Sequence, residues 1–384
     1  MSTIYLDYSA TAPLWPSALE AMEQARRTVG NASSLHAAGR RVRRWVDDAM
    51  DSVRVSVGAP AHRPIPTGSG TEANNLGVLG LARGRRRQKG VKRILIGPNE
   101  HCSVHAAALR LQQEGFTLER LAAERGGVVA EDVEAQLGPD VALVALQLGC
   151  GSTGLLQPLE SVCQAAARHA VPVHVDAAAA WGRVPIELAA WGVSSCAVSG
   201  HKLGGPRGIG VLLLDPQAPL EPLWQGGGQA FGLRSGSLAP VLAAGLGAAV
   251  EAVGDVAVWL DEQRQVGEKL RAGVRSAMLG VRADWPRLPH VLVMAPSDGS
   301  ARHIAARLDE RGVRVGLVEV DPACLETGAS PHAEASGPVT ALRFSWGWQT
   351  PAADQVRVEQ ELNRILADAS ADHDVAMKPR VREA

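Results

Sequence analysis

VSGHKLGGPRGIGVLLL, Val198 to Leu214, is the stretch on which the reading of this chain turns. Lys202 sits in a turn of small residues, with Ser199 and His201 beside it and Gly200, Gly204, Gly205, Gly208 and Gly210 around it. The apolar run Ile209 to Leu214 that follows predicts a buried strand. Just upstream, PVHVDAAAAWG predicts another strand, Val171 to Asp176, that ends on an acid. A lysine on a glycine-rich turn beside a strand-end aspartate suits imine chemistry. The amine condenses with an aldehyde cofactor, and the carboxylate pairs with a pyridinium nitrogen. Taken alone, the same residues also read as a solvated loop lysine and a helix-capping aspartate.

Working outward, strands and helices alternate. ILIG (Ile94 to Gly97) precedes a helix at Ser103 to Glu114, and VALVALQ (Val141 to Gln147) precedes one at Leu159 to His169. Continuous apolar strands between helices predict a mostly parallel sheet covered on both faces. Ligands in such sheets sit at the carboxyl ends of the strands, where Asp176 and Lys202 both fall. Before this region come helices at Ser17 to Val29 and Arg40 to Val57. After it comes a second glycine-rich loop, GGGQAFGLRSGS (Gly226 to Ser237), and a helix at Pro240 to Leu260. The remainder predicts a small α+β domain: helix Glu262 to Met278, strand HVLVMA, helix Ala301 to Arg311, strand VRVGLVEV, strand ALRFSWG and helix Pro351 to Ala369. The organisation expected is a large domain over 15–255, a small one from 1–14 and 256–369, and a disordered tail over 370–384.

Composition sets outer limits. The 384 residues are 46% hydrophobic and 21% charged with a formal net charge of −1, which is ordinary for a soluble enzyme and makes no electrostatic case for nucleic acid or an anionic membrane. The most apolar helical stretch, Val241 to Val250, is too short to span a bilayer, and Met1 to Asp7 shows no leader pattern. Five cysteines (Cys102, Cys150, Cys163, Cys196, Cys324) without metal-ligand spacing point to a reduced, cytoplasmic thiol protein and to no metal site.

Several short motifs add chemistry. In GSGTEANN (Gly68 to Asn75), Gly70 and Thr71 open a helix, whose free N–H groups and dipole suit a phosphate; a Ser or Thr with a following Glu also makes a plain helix cap. Ser199 and His201 could complete a phosphate cup. In NEHCSVH (Asn99 to His105), His101 follows a strand and could stack on an aromatic cofactor and pass protons. Arg343, on an apolar strand, should meet a carboxylate, either internal or from a substrate. Cys324, in DPACLETG, is read as an exposed loop thiol able to act as a nucleophile, whereas Cys163 and Cys196 read as inert strand or helix residues.

Together these blocks resemble the cysteine desulfurases of the class-V aminotransferase-like group of pyridoxal-phosphate enzymes. The blocks are YLDYSATAP (Tyr5 to Pro13), GNASSLHAAGR, TGSGTEANN, Glu100-His101, GLLQP, HVDAAAAWG, SGHKLGGPRGIG, GGGQAFGLRSGS and RFSWG (Arg343 to Gly347). The resemblance implies a fold-type I homodimer with its site at the subunit interface, using pyridoxal 5'-phosphate. Lys202 would be the Schiff-base lysine, Asp176 the partner of the ring nitrogen and His101 the stacking residue. Gly70, Thr71, Ser199 and His201 would hold the phosphate, joined by Ser237 reaching into the partner subunit's site. Arg343 would take the carboxylate of L-cysteine, and Cys324 would carry the sulfur as a persulfide to an acceptor protein, for iron–sulfur assembly, tRNA thiolation or biosynthesis. Lys202, His101 and Cys324 would be the catalytic residues. Three departures stand out. Ala179 replaces a glutamine, Cys150-Gly151-Ser152 replaces Asn-Asn-Glu, and VGLVEVDPAC replaces the serine- and glycine-rich run before the cysteine. They keep two alternatives open: another pyridoxal-phosphate reaction (C–S lyase, aminotransferase or epimerase) with Cys324 incidental, or a scaffold without catalysis.

Overall fold

The computed structural model describes residues 3–124, 126–254, 264–268, 270, 278–280, 285–296, 300–321, 324, 337–351, 354 and 356–366. In chain order these form β1 (Ile4–Leu6), α1 (Pro16–Ala25), α2 (Ala37–Ser56), β2 (Arg63–Thr67), α3 (Gly70–Lys89), β3 (Arg93–Ile96), α4 (Cys102–Gln113) and β4 (Thr117–Arg120). A minor ribbon, β5 (Ala123–Glu124) with β6 (Gly127–Val128), and helix α5 (Ala130–Gln136) follow. Then come β7 (Val141–Gln147), α6 (Leu159–Arg168), β8 (Val173–Asp176), α7 (Leu188–Trp191), β9 (Ser195–Ser199), α8 (Gly200–Leu203), β10 (Gly210–Leu214) and α9 (Pro240–Val253). The last elements are β11 (Met278–Gly280), β12 (Val291–Pro296), α10 (Ala301–Glu310), β13 (Val313–Val320) and β14 (Val339–Ser345). Residues 255–260 of the helix expected at Pro240 to Leu260, most of the one at Glu262 to Met278, and the tail over 370–384 lie outside the described residues.

Seven strands form one sheet in the order β2-β10-β9-β8-β7-β3-β4. β4, β3, β7, β8 and β9 run parallel, and β10 runs antiparallel to both β9 and β2. The reversal follows from connection length: only the lysine turn joins β9 to β10, too short for a parallel crossover. β2, RPIPT, carries two prolines that cannot donate to a ladder, so it pairs on one side only, at the sheet edge. Those prolines also hid it from a reading based on apolar periodicity.

Side chains leave the strands to two cores. Val211 and Leu213 of β10, Cys196 and Val198 of β9, and Val173 and Val175 of β8 pack on one face. Leu212, Leu214 and Ala197 pack on the other, with α3 and α4. In β7, Ala142 and Leu143 both point to that second face, because the register shifts there against β3. Each fully buried Leu or Val contributes about 2 kcal/mol. A five-stranded sheet, β1-β13-β14-β12-β11, carries the third core, in which Phe344 and Trp346 meet α10 and the helical residues 356–366. Its first strand comes from the N-terminus: β1 pairs in parallel with β13.

Candidate active site

Five connections meet at one edge of the seven-stranded sheet. β9 ends at Ser199, β8 at Asp176, β7 at Gln147 and β3 at Ile96, while β2 ends at Thr67 just before α3. They enclose a cavity of about 540 Å³ lined by Gly70, Thr71, His101, Asp176, Ser199, His201, Lys202 and Arg343, among others. Eight of the ten site residues expected from the sequence therefore share one cavity.

Glycines let the start of α3 pack against β10. β10 passes so close to the start of α3 that a Cβ at Gly210 would stand 2.5 Å from the Ser69 carbonyl carbon and 2.8 Å from the Gly70 nitrogen. A Cβ at Gly70 would stand 3.0 Å from Ser199 Cβ, filling the cradle beneath the first helical turn. The cap reading of this motif also holds, on different residues. Ser69 Oγ accepts from Glu72 N (3.1 Å), and Glu72 Oε2 accepts from Gly68 N (2.7 Å). Glu72 is further paired with Arg234 at 2.7 Å. Thr71 stays exposed to the cavity with Ser199 and His201 across from it.

Lys202 lies on α8, a single turn closed by Gly204 in the left-handed conformation (φ 95°). Burial pulls the Lys202 ammonium below its ordinary range, partly offset by Asp176. Asp176 is held on both oxygens: Oδ1 accepts from Ala178 N (2.9 Å) and Oδ2 from Asn74 Nδ2 (2.7 Å). Asn74 Nδ2 also donates to Ser103 Oγ (2.9 Å), and Asn74 Oδ1 is 3.0 Å from His174 Nε2. Ser103 N donates to His101 Nδ1 (3.2 Å), and Ser103 Oγ lies 2.7 Å from the same nitrogen. With Nδ1 accepting, the neutral His101 ring carries its proton on Nε2. Burial lowers His101, so the neutral ring persists below its ordinary 6.5.

The sequence alone assigns no role to Asn74, His174, Ser103 or Glu100. Periodicity marks a polar residue on a buried face but names no partner for it. Glu100 Oε1 accepts from Gln147 N (2.9 Å), while Oε2 is buried with no hydrogen-bond partner among the described residues. Burial, with a smaller push from Asp176, raises its carboxyl to about 8.

Two expected residues stand apart. Ser237 is exposed and does not line this cavity; its loop instead borders a separate groove of about 800 Å³ beside α2 and β2. Cys324, read as an exposed loop thiol, is corrected: it is 1% exposed. Its Sγ packs where a Cβ of Gly126 would stand 2.5 Å away, and it is hydrogen-bonded by Asn99, which lines the cavity. Burial and Asp321 push this thiol up to about 12. Cys163 and Cys196 are buried and likewise pushed up. Cys102 is exposed, with Sγ 3.7 Å from His101 Nε2.

Arg343 meets an internal acid. Its Nη2 donates to Asp7 Oδ1 and its Nη1 to the Gly151 carbonyl, both at 2.8 Å. On the side of the two small replacements the wall is apolar: a Cβ at Gly151 would stand 3.6 Å from Ala179 Cβ and 3.9 Å from Lys202 Nζ. The donor set still fits a phosphorylated pyridine aldehyde. A helix N-terminus with two hydroxyls stands for the phosphate, a doubly held carboxylate for a ring nitrogen, and an amine for the aldehyde.

The class-V aminotransferase family profile matches residues 4–354. An "IscS-like cysteine desulfurase" of Mycobacterium tuberculosis is 37% identical over 253 residues, 65% of this chain but only 64% of that protein, so the match spans less than two-thirds of its length. A "Putative cysteine desulfurase IscS 1" of Bacillus subtilis is 32% identical over 82% of this chain and 84% of that protein. Among solved structures, a "NIFS-LIKE PROTEIN" superposes with a TM-score of 0.83 at 25% identity, covering 95% of this chain and 99% of the other.

Proposed function

The chain belongs to the class-V aminotransferase family, and from that membership we propose that it is a pyridoxal-phosphate-dependent cysteine desulfurase, converting L-cysteine to L-alanine and passing the sulfur on from an enzyme thiol. The observation that carries the reading is the shared cavity of Lys202, Asp176, His101 and Arg343; a scaffold needs none of these together. When bound, pyridoxal phosphate supplies an electron sink for bonds at the substrate's α-carbon. Gly70, Thr71, Ser199 and His201 would hold its phosphate, Asp176 its ring nitrogen, Lys202 its aldehyde, and His101 its ring face.

The chain's own groups divide the remaining work. Arg343 binds and orients the substrate carboxylate. His101 holds a proton at Nε2, and Lys202, whose charged form burial disfavours, takes up and returns a proton at Nζ. Cys324 receives the sulfur once its thiol leaves the seat against Gly126, and Ser237 reaches the phosphate end of a second subunit in a homodimer.

The test is the absorption spectrum of purified protein, followed by L-cysteine with alanine and sulfide quantified. A yellow protein that forms alanine is expected; one that stays colourless with added cofactor removes the reading. Cys324→Ser is expected to abolish persulfide transfer and leave the cofactor absorbance in place. The burial of Cys324 favours one second reading, a C–S lyase in which that thiol is incidental. Pyruvate and ammonia in place of alanine would select it.

A further inference from the structure

The guanidinium of Arg343 faces the cavity with its charge already matched. It stands on β14, between Gly316 of β13 and Val293 of β12. Nη2 donates to Asp7 Oδ1 and Nη1 to the carbonyl oxygen of Gly151, each at 2.8 Å. The third nitrogen, Nε, is buried with no hydrogen-bond partner among the described residues. A Cβ at Gly316 would stand 2.7 Å from Asp7 Oδ1 and 3.0 and 3.1 Å from Arg343 Nη2 and Nε, so the absent side chain is what admits the pair. The Arg343 side chain is 11% exposed and that of Asp7 26%. A guanidinium this sheltered is costly to leave unpaired, and Asp7 supplies the missing anion.

That arrangement has a consequence for any ligand that brings a carboxylate. Two internal oxygens already occupy two of the guanidinium nitrogens, as the two oxygens of a bound carboxylate would. An arriving carboxylate shares one cation with Asp7, and two like charges on one guanidinium repel. We propose that Asp7 is a specificity-setting residue: a built-in competing carboxylate that weakens the hold of Arg343 on carboxylate-bearing amino acids and leaves carboxylate-free amines untouched. It rests on the reading of Arg343 as the carboxylate-binding group. Asp7 acts through Arg343 and is a positioning residue. The Gly151 carbonyl is the neutral half of the same clamp, and it ties the Cys150–Ser152 segment beside Lys202 to the state of Arg343.

The experiment compares native holoenzyme with Asp7→Asn and Asp7→Ser. L-alanine and ethylamine, which differ by the carboxylate, are titrated while the absorption of the bound cofactor is followed. L-alanine is expected to bind about tenfold tighter in both variants, with ethylamine unchanged. In the cofactor-free proteins, acetate is expected to raise the thermal midpoint more in the variants than in the native chain. A role for Asp7 in folding alone would move both ligands together. Unchanged or weaker L-alanine binding in a folded variant, or an equal shift for ethylamine, overturns the proposal. Alanine production from L-cysteine by the native protein is scored separately. Its absence would remove the desulfurase reading, while a carboxylate-specific shift would still sustain the role of Asp7.

Discussion

Asn74 holds three buried groups at once, and each of its atoms has one chemically allowed role. Its amide N–H groups go to Asp176 and Ser103, so its oxygen faces His174, which must donate from Nε2 and accept from Ser195 at Nδ1 (2.8 Å). Asn74→Ala should leave His174 unpartnered at Nε2 and Asp176 with one oxygen loose. A stability loss of about 2–4 kcal/mol is expected by urea unfolding, with faster loss of cofactor absorbance on dialysis. Burial lowers His174 from 6.5 to about 4, so the unfolded chain takes up this proton first and the contribution is lost as pH falls from 6.5 towards 4. Glu100 works the opposite way. Its folded value of about 8 lies above the ordinary 4.5, so its contribution is present in acid and is lost as pH rises through 8. Between its two values Glu100 contributes a fall in native stability of up to about 1.4 kcal/mol per pH unit, opposed near pH 6.5 by His101, His174, His201 and His290, which burial lowers. The difference in unfolding free energy between the native chain and Glu100→Gln, taken at pH 6.5, 7.2 and 8, isolates the Glu100 contribution and should shift in favour of the variant as pH rises; a difference that does not change with pH would show that Glu100 is ionised in the fold.

Among the elements, α3 and β10 are matched at a single crossing. The sequence GSGTEANN shows a helix start, but only the crossing explains why position 210 has no side chain. Gly210→Ala places a methyl against the Ser69 carbonyl and the Gly70 nitrogen, and must push the first turn of α3 off the phosphate cradle. About a tenfold loss of pyridoxal-phosphate affinity is expected in apo-protein titration. Ser69→Ala removes the cap and leaves the cradle's shape, because Glu72 keeps its bond to Gly68 and its pairing with Arg234. It should cost about 1 kcal/mol of stability with cofactor affinity little changed. The two variants separate the capping role of this motif from its binding role.

For the whole molecule, the N-terminus closes the site. β1 pairs with β13, Asp7 meets Arg343, and Ser9 N donates to Ser345 Oγ (2.9 Å), so residues 4–9 bind the five-stranded sheet to the cavity wall. The proposed homodimer makes a further claim on this scale, since Ser237 cannot serve its own cavity. Mixed dimers of Lys202→Ala and Ser237→Ala subunits should contain one intact site per dimer. They should retain cofactor at the site of the Ser237→Ala subunit better than that variant's own homodimer; equal retention would place Ser237 outside the phosphate site.

The sequence by itself determined the alternation of strands and helices, the position of Lys202 and Asp176 at strand ends, and the family. Those signals are local: side-chain period, glycine spacing and ordered blocks. It also brought Gly70, Thr71, His101, Ser199, His201 and Arg343 to attention, because each lies within a few residues of an element boundary or inside a matching block. Tertiary structure alone decided the partners. Asp7 and Arg343 lie 336 positions apart and Asn74 and Asp176 102 apart, separations that no periodicity spans. It also decided burial, and with it reactivity: Cys324 reads as a loop thiol in the chain, whereas the fold seats it against Gly126. A local pattern fixes which groups are available; the dielectric and the charges around them are set by residues brought in from elsewhere in the chain.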